Sequence, residues 1–400
     1  MIQIHFLTSI LPKQNYKWIK HNSKGAMSNA NDSFQRAVID GLLKNGVELQ
    51  LLNVPNIGAF PFRFKKIVSP NFTIDEGEGI KGNNFGFTNV NLLKHKFIEN
   101  SLEDYISKIA NKVDHLLIYD LYLPFLKIAK FLKSTKPHVK IVIIIPDIYG
   151  FTGYSNNLLR KILTNNEEEE IYKNLKFIDG FVLLTDQMKD KLPSFIKQKQ
   201  SIVLEGILNP DVLEIESDPI CSKEKIVLYS GAIEERHGVL NLIKSFKLLR
   251  TQAQLHLYGD GSAKEKVLEA INGVNNIHFF GQRERITVLK KQKEATLLVN
   301  PRTSEGDFTQ YSFPSKIIEY FASGVPTLMY KLDGIPDNYY NHCFVPIDES
   351  IEALALKLSE ILNLDANILE KLGQDARNFI LENKKSDSQA KKILKLFEVL

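Results

Sequence analysis

KIVLYSGAIEERHGVLNLIKSFKLL, residues 225–249, reads as one strand, one turn and one helix. Residues 225–229 form a short apolar run with the composition of a buried strand. The run breaks at the small Ser230-Gly231-Ala232. Gly238 then opens a helix whose Val239, Leu242, Ile243, Phe246 and Leu249 fall on one stripe. An apolar strand followed by an amphipathic helix is the repeating unit of a parallel sheet covered by helices on both faces.

The same alternation runs outward in both directions. Towards the carboxyl end, strands are expected at 254–258, 276–280, 296–300 and 325–330, each separated by a helical pattern. Amphipathic helices close the chain at 352–362, 367–381 and 388–400, the last with Ile393, Leu394 and Phe397 on its apolar stripe. Towards the amino end, strands are expected at 2–7, 47–52, 115–119, 139–145 and 180–185. Helices are expected at 31–44, 97–112 and 121–133; the first has Phe34, Val38 and Leu42 on one face and ends at Gly46. Residues 55–91, rich in Gly, Asn, Pro and Phe, are too long for a simple connection and read either as a functional loop or as a small strand excursion. Residues 206–224, with Asn209-Pro210, Asp218-Pro219 and several acids, read as a linker. The fold class is therefore α/β, two tandem Rossmann-like doubly wound domains.

Composition narrows the function. Of 400 residues, 44% are hydrophobic and 24% charged, which is ordinary globular usage and excludes disordered, collagenous and coiled-coil classes. No run approaches the roughly 18–20 apolar residues of a spanning helix, and the amino terminus reads as a first strand, not a signal peptide. The expected location is cytoplasmic. Cys221 and Cys343 have no metal-type or disulfide-framework spacing. His5, His115, His256 and His278 lie within strand patterns and read as structural, and no cluster has metal-ligand spacing. A net charge of +4 is too small to argue for nucleic acid. The basic excess falls in the first half, roughly 27 basic against 20 acidic residues over 1–209. It reads either as solvated lysine faces or as a surface for anionic headgroups or a phosphate-bearing acceptor.

In open parallel sheets, ligands sit outside the carboxyl ends of the strands. In the second domain these ends are polar and small: Gly231 with Arg236-His237-Gly238, then Gly259-Asp260-Gly261, Gly281-Gln282-Arg283, and Pro301-Arg302. Glycines there permit close backbone approach to a ligand, or serve as turn residues; Arg236 and Arg302 suit phosphate. The segment Tyr311-Ser312-Phe313-Pro314-Ser315-Lys316 leads into a helix. Pro314 suits a first helical turn, which leaves the amides of Ser315 and Lys316 facing an anion such as a pyrophosphate. Glu319 could accept two hydrogen bonds from a vicinal diol. The alternative is that Lys316 and Glu319 are an ordinary surface pair. Asp147, directly after the buried strand at 139–145, reads either as a group that orients an acceptor hydroxyl or acts as general base, or as a cap on the turn at 147–150. There is no Gly-x-Ser-x-Gly elbow, no Walker A loop and no Gly-x-Gly-x-x-Gly after the first strand, which weakens hydrolase, ATPase and dinucleotide readings.

Residues 225–346 resemble the nucleotide-sugar domain of GT-B glycosyltransferases, in particular the family 4 group that builds bacterial capsule and O-antigen polysaccharides. Tyr229-Ser230-Gly231 with Gly238, Leu257-Tyr258-Gly259-Asp260-Gly261, Phe280-Gly281 and residues 312–326 carry the resemblance. In the first half it is a matter of topology plus Asn29-Ala30-Asn31 before a helix, where the family usually has a glycine-rich turn. The resemblance implies an acceptor-binding domain at 1–208 joined by the helix at 386–400, a donor-binding domain at 209–385, and a cleft between them.

By the same resemblance, Gly231, His237, Gly259, Asp260, Gly261, Arg302, Tyr311, Ser312, Phe313, Pro314, Ser315 and Glu319 bind the donor, with Glu319 on the ribose. Asp147, Arg236 and Lys316 are the catalytic candidates, and Asn29 and Asn31 face the acceptor. Ala232 and His237 stand where the family commonly has an Arg and a Lys, and Tyr311 stands where it has the first of two glutamates. The diphosphate charge must then be met by Arg236, Lys316 or Arg302. No metal and no cofactor are expected, the nucleotide-diphosphate sugar, UDP- or GDP-linked, being a co-substrate. The expected partners are that donor, a glycan or lipid-linked saccharide acceptor, and peripheral contact with the inner face of an anionic cytoplasmic membrane, with no nucleic acid. The expected reaction retains the anomeric configuration. A sugar-nucleotide epimerase on the same fold and a non-catalytic scaffold subunit are the alternatives.

Overall fold

A computed structural model describes residues 2–24, 29–149, 158–215 and 224–400. Cys221, Gly150 of the expected 147–150 turn and the side chain of Asn29 lie outside the described residues. The chain divides into two compact units, Met1–Ile207 with Ser386–Leu400, and Leu208–Lys385.

The first unit carries ten strands among the described residues: β1 (Gln3–Thr8), β2 (Glu48–Asn53), β3 (Val68–Ser69), β4 (Phe72–Asp75), β5 (Lys81–Asn84), β6 (Phe87–Thr88), β7 (His115–Tyr119), β8 (Lys140–Ile145), β9 (Gly180–Leu183) and β10 (Gln200–Val203). Eight form one sheet in the order β10-β9-β8-β7-β1-β2-β5-β4, parallel except for β4 against β5. Its helices are α1 (Tyr16–Asn22), α2 (Asn29–Lys44), α3 (Lys94–Ile109), α4 (Leu123–Thr135) and α5 (Leu158–Asn174). Ile141 to Ile145 of β8 are all buried, as a strand covered on both faces requires.

Residues 55–91 take the form of a strand excursion. β4 and β5 extend the main sheet, while β3 and β6 pair separately and antiparallel. The Lys-Gly-Asn-Asn sequence of β5 has no apolar alternation. It is held instead by the buried Asn53 amide donating to Asn84 at 2.8 Å, and by Gly82, where any Cβ would overlap the Leu51 carbonyl. β10 is not anticipated by the sequence reading, because its half-exposed Gln200-Ser-Ile-Val lacks a buried strand's pattern.

The second unit is an all-parallel sheet of β11 (Ile226–Ser230), β12 (Gln254–Tyr258), β13 (Ile277–Gly281), β14 (Leu297–Asn300) and β15 (Thr327–Met329), ordered β13-β12-β11-β14-β15. Strand order reverses at β11, so a crevice opens outside the carboxyl ends of β11 and its neighbours. The helices are α6 (Val239–Lys247), α7 (Lys264–Ile271), α8 (Arg285–Lys293), α9 (Lys316–Ser323), α10 (Ile351–Leu362) and α11 (Ala366–Asn383). Ser350 and Asp365 cap α10 and α11 by accepting from Ala353 and Asn367 amides at 3.1 and 2.8 Å. Within the expected linker, Leu208 and Val212 are buried around a short turn at Pro210–Val212, so this stretch packs onto the unit; residues 216–223 lie outside the described residues.

The last helix, α12 (Ser386–Val399), packs with the first unit. Ala390, Ile393, Leu396 and Phe397 enter the core that contains Phe6, Val38 and Leu42. At about 1.5–3 kcal/mol per fully buried large apolar side chain, this fixes the helix firmly. Gly41 lets Ser386 approach α2, and the Ser386 hydroxyl donates to Asp40. Among the described residues no helix is long and apolar enough to cross a membrane.

Candidate functional site

The strand-end loops of the second unit are stitched to one another by main-chain bonds. Gly231 donates to Tyr258, Ile233 to Asp260 and Gly259 to Gly281, each at 3.0 Å. Glycine is needed here because loop meets loop. A Cβ on Gly259 would overlap the Gly231 carbonyl, one on Gly261 the Ile233 carbonyl, and one on Gly238 the Pro301 carbonyl. The close approach read from the sequence is thus backbone to backbone. Glu234 adds a tie by accepting from the Ser262 amide and hydroxyl at 3.1 and 2.5 Å, and Asp260 caps its own turn at the Gly261 amide.

Two guanidinium groups share one ring in this crevice. Arg302, buried after β14, lies 4.4 Å from the Phe308 centroid, and the exposed Arg236 lies 5.3 Å from the same ring. Phe308 steadies both cations by cation–π attraction; the sequence reading did not single it out. His237 sits beside them with Nδ1 3.3 Å from the Ala232 carbonyl. Burial, and then the Arg302 and Arg236 charges, push its imidazole below the ordinary value against that hydrogen bond, so it is neutral at neutral pH.

Tyr311 and Phe313 are buried, the latter packed on Tyr339 at 5.5 Å between ring centroids. These rings point into the core and seat the loop; Ser312, Pro314 and Ser315 between and after them are the more exposed members. The first bonds of α9 run from Ile317 to Pro314 and from Ile318 to Ser315. The Ser315 and Lys316 amides therefore stand ahead of the helical ladder, at the positive end of its dipole.

Glu319 lies one turn in, its side chain 14% exposed. It pairs with Lys316 at 2.6 Å, as the surface-pair alternative anticipated, but also with Arg285 of α8 at 3.2 Å. Arg285 was not singled out from the sequence, being 34 residues away on another helix. Burial alone would raise the carboxyl; the Lys316 and Arg285 charges outweigh it and hold Glu319 below the ordinary carboxylate range. A carboxylate offers about four lone-pair sites, so the two cations fix its orientation while acceptor capacity remains for a diol.

Tyr320, the next residue, positions this helix start against β11. Its buried hydroxyl accepts from the Ser230 amide at 2.8 Å and donates to the Ser230 carbonyl at 3.1 Å, while Gln292 donates to the Ser230 hydroxyl at 2.8 Å. Tyr320→Phe is expected to destabilise the protein by about 1–3 kcal/mol by stranding these groups. Urea unfolding would register it as a lower midpoint with an unchanged slope.

In the first unit, Asp147 follows β8 and is half-buried. Asp120, which the sequence reading did not single out, follows β7 in a left-handed conformation with φ +77°. Its carboxylate accepts from the Leu121 amide at 2.7 Å, and burial pushes it above its ordinary value against that bond. Burial, then the charges of Asp120, Asp147 and Asp32, raise the Tyr119 phenol. Asn29 and Asn31 fall within the first turn of α2, not before it. The loop after β1 is gripped instead by Asp32, which accepts from Leu11 at 2.7 Å, by Gln35, which accepts from Ser9 at 2.8 Å, and by Arg36, which donates to the Leu11 carbonyl at 2.7 Å. Cys343 is buried, its thiol pushed up to about 12. Among the described residues no group of three or more His, Cys, Asp or Glu is placed to hold a metal ion.

Residues 224–364 match the family model described as glycosyl transferases group 1. No curated protein matches the chain. Among solved structures, it is similar to sucrose-phosphate synthase from Thermosynechococcus elongatus, at 14% identity and a TM-score of 0.70 over 100% of this chain and 98% of that one. It is similar to HepE from Anabaena in complex with UDP, at 12% identity and a TM-score of 0.62 over 100% of both chains. It is also similar to the UDP-forming trehalose-phosphate synthase of Burkholderia xenovorans in complex with glucose-6-phosphate, at 9% identity and a TM-score of 0.65 over 99% of this chain and 100% of that one. The likeness is thus not specific to capsule and O-antigen transferases. The chain has the GT-B glycosyltransferase fold, with its match to the group 1 family carried by residues 224–364.

Proposed function

We propose that this protein moves a sugar from a nucleoside-diphosphate sugar, UDP- or GDP-linked, to a hydroxyl of a lipid-linked glycan in surface polysaccharide synthesis, with retention of configuration. The observation that carries the reading is the start of α9: two amides ahead of the ladder and a largely covered, oriented carboxylate one turn in, on the segment that matches the group 1 model. In this reading Glu319 takes the ribose diol. The Ser315 and Lys316 amides, with Lys316, Arg236 and Arg302, meet the diphosphate as the bond to the anomeric carbon breaks. That supply of positive charge from the chain itself supports a reaction without a metal ion and without a cofactor. On the acceptor side, Asp147 orients the incoming hydroxyl.

Incubation with UDP- or GDP-sugars and a lipid-linked saccharide should release nucleoside diphosphate in step with acceptor glycosylation, undiminished by EDTA. Release that needs no acceptor and yields no glycoside would count against transfer. The epimerase reading gains from Asp120, a second carboxyl that follows β7, the strand paired with the β8 that precedes Asp147. It requires conversion of the donor sugar with no acceptor present.

A further inference from the structure

Large apolar side chains are exposed together in one part of the first unit. Phe62 is 72% exposed, Val68 55%, Leu93 53% and Ile67 47%. Main-chain bonds draw these residues together: Phe60 donates to Asn89 at 3.0 Å, Asn89 to Ile67 at 2.6 Å, and Leu93 to Val90 at 3.1 Å, while Phe60 bridges Val90. The segment after β1 joins the same piece. Lys65 donates from its amide to Asn22 at 2.9 Å and from its ammonium to the His21 carbonyl at 2.8 Å, and Trp18 packs edge-on against Phe64 at 5.5 Å.

The exposed charges of residues 9–31 and 54–74 are all basic, while the exposed Asp75 and Glu78 lie at the β4–β5 turn. Residues 1–31, 49–74 and 79–98 contain no Asp or Glu. They present exposed Lys17, Lys24, Arg63, Lys65 and Lys66. Exposed apolar groups interspersed with cations along the chain, as Phe62 with Arg63 and Ile67 with Lys65 and Lys66, gain from both terms of a lipid interface, burial in the acyl boundary and attraction to anionic headgroups. A nucleic acid would use the cations and leave Phe62 and Val68 without a role.

We propose that this face docks the protein on an anionic lipid bilayer, with Phe62 inserted and Arg63, Lys65 and Lys66 at the headgroups. It is formed by the loops that leave the carboxyl ends of β1 and β2, the sheet edge on which Asp120 and Asp147 sit. A lipid-borne acceptor would meet the protein there. The exposure and charge of this face favour docking whether or not the protein is a transferase.

The test is co-sedimentation with phosphatidylcholine vesicles with and without phosphatidylglycerol, with Trp18, the one tryptophan of the chain, as a fluorescent reporter beside the face. The protein should bind only the phosphatidylglycerol vesicles, less as salt rises, with a blue shift of the Trp18 emission. Lys65→Ala with Lys66→Ala should weaken binding about thirtyfold, and Phe62→Ser should weaken it independently. Thermal melts of the variants should match wild type, and their nucleotide-dependent stabilisation should be unchanged, which separates this proposal from the donor-site reading. Equal binding to neutral vesicles, no binding, or unchanged binding by both variants would overturn it. So would a wild-type dimer that Phe62→Ser dissociates, which would assign the face to a second copy.

Discussion

Glu319→Ala should reduce affinity for the donor nucleotide a hundredfold or more while leaving the protein folded. The expectation rests on two hydrogen bonds from a diol to an ionised carboxylate, each worth about 1.5–3 kcal/mol, and every 1.4 kcal/mol is about tenfold in Kd. Glu319→Gln, which keeps the shape and removes the charge, should fall between wild type and alanine. Calorimetric titration of the three proteins with the same nucleotide measures the series. Because the Lys316 and Arg285 charges depress the folded carboxyl, Glu319 stays ionised through neutral pH. Its contribution to stability is present above the unfolded value and is lost only as pH falls through the lower, folded one. Binding should therefore be flat with respect to this group near neutrality and weaken only in acid. Wild-type affinity in Glu319→Ala would remove the ribose contact from the site.

A substitution at Gly259, a donor-binding candidate whose close contact is backbone to backbone, should be nearly as damaging through the fold itself. Gly259 has φ +141°, and a Cβ there would overlap the Gly231 carbonyl at the junction of the β11 and β12 loops. Backbone strain of about 1–3 kcal/mol combines with overpacking of about 1–3 kcal/mol, so Gly259→Ala should cost about 2–6 kcal/mol. Gly273 is the control: its φ is +73° but nothing lies within 4 Å of an added Cβ. Gly273→Ala should cost only the left-handed backbone term, about 1–2 kcal/mol. Chemical denaturation of both variants decides the matter; equal losses would mean that loop-to-loop contact is not what demands glycine at 259.

The second unit is legible because its strands are short, largely apolar runs and helices such as α6 carry an apolar stripe, although β12 and β13 include His256 and His278 and α8 buries only Leu289 and Gln292. The residues at their ends are legible because the ends of parallel strands are where polar residues gather. What brings those residues together is not. Arg285 reaches Glu319 from the start of another helix, and Phe308 lies under Arg236 and Arg302 only once the β11 and β14 loops are folded onto each other. Asp120 carries no local signal, since a left-handed aspartate after a strand reads as any turn residue until its carboxylate is found buried. Strand β5 and the edge strand β10 escape for the opposite reason: asparagine-rich or half-exposed, they are held by neighbours and not by pattern. Asn29-Ala30-Asn31 is expected ahead of a helix by the resemblance to a family with a glycine-rich turn there, yet α2 already begins at Asn29.

The most direct test of a donor site at the carboxyl edge of the second unit is a thermal-shift panel of UDP, GDP, ADP, CMP and their sugar conjugates on the wild-type protein. One diphosphate series at a hundredfold its dissociation constant should stabilise by about 2.7 kcal/mol, and the shift should disappear in Glu319→Ala. No shift with any nucleotide would contradict the donor site and return the chain to a scaffold role on the same fold.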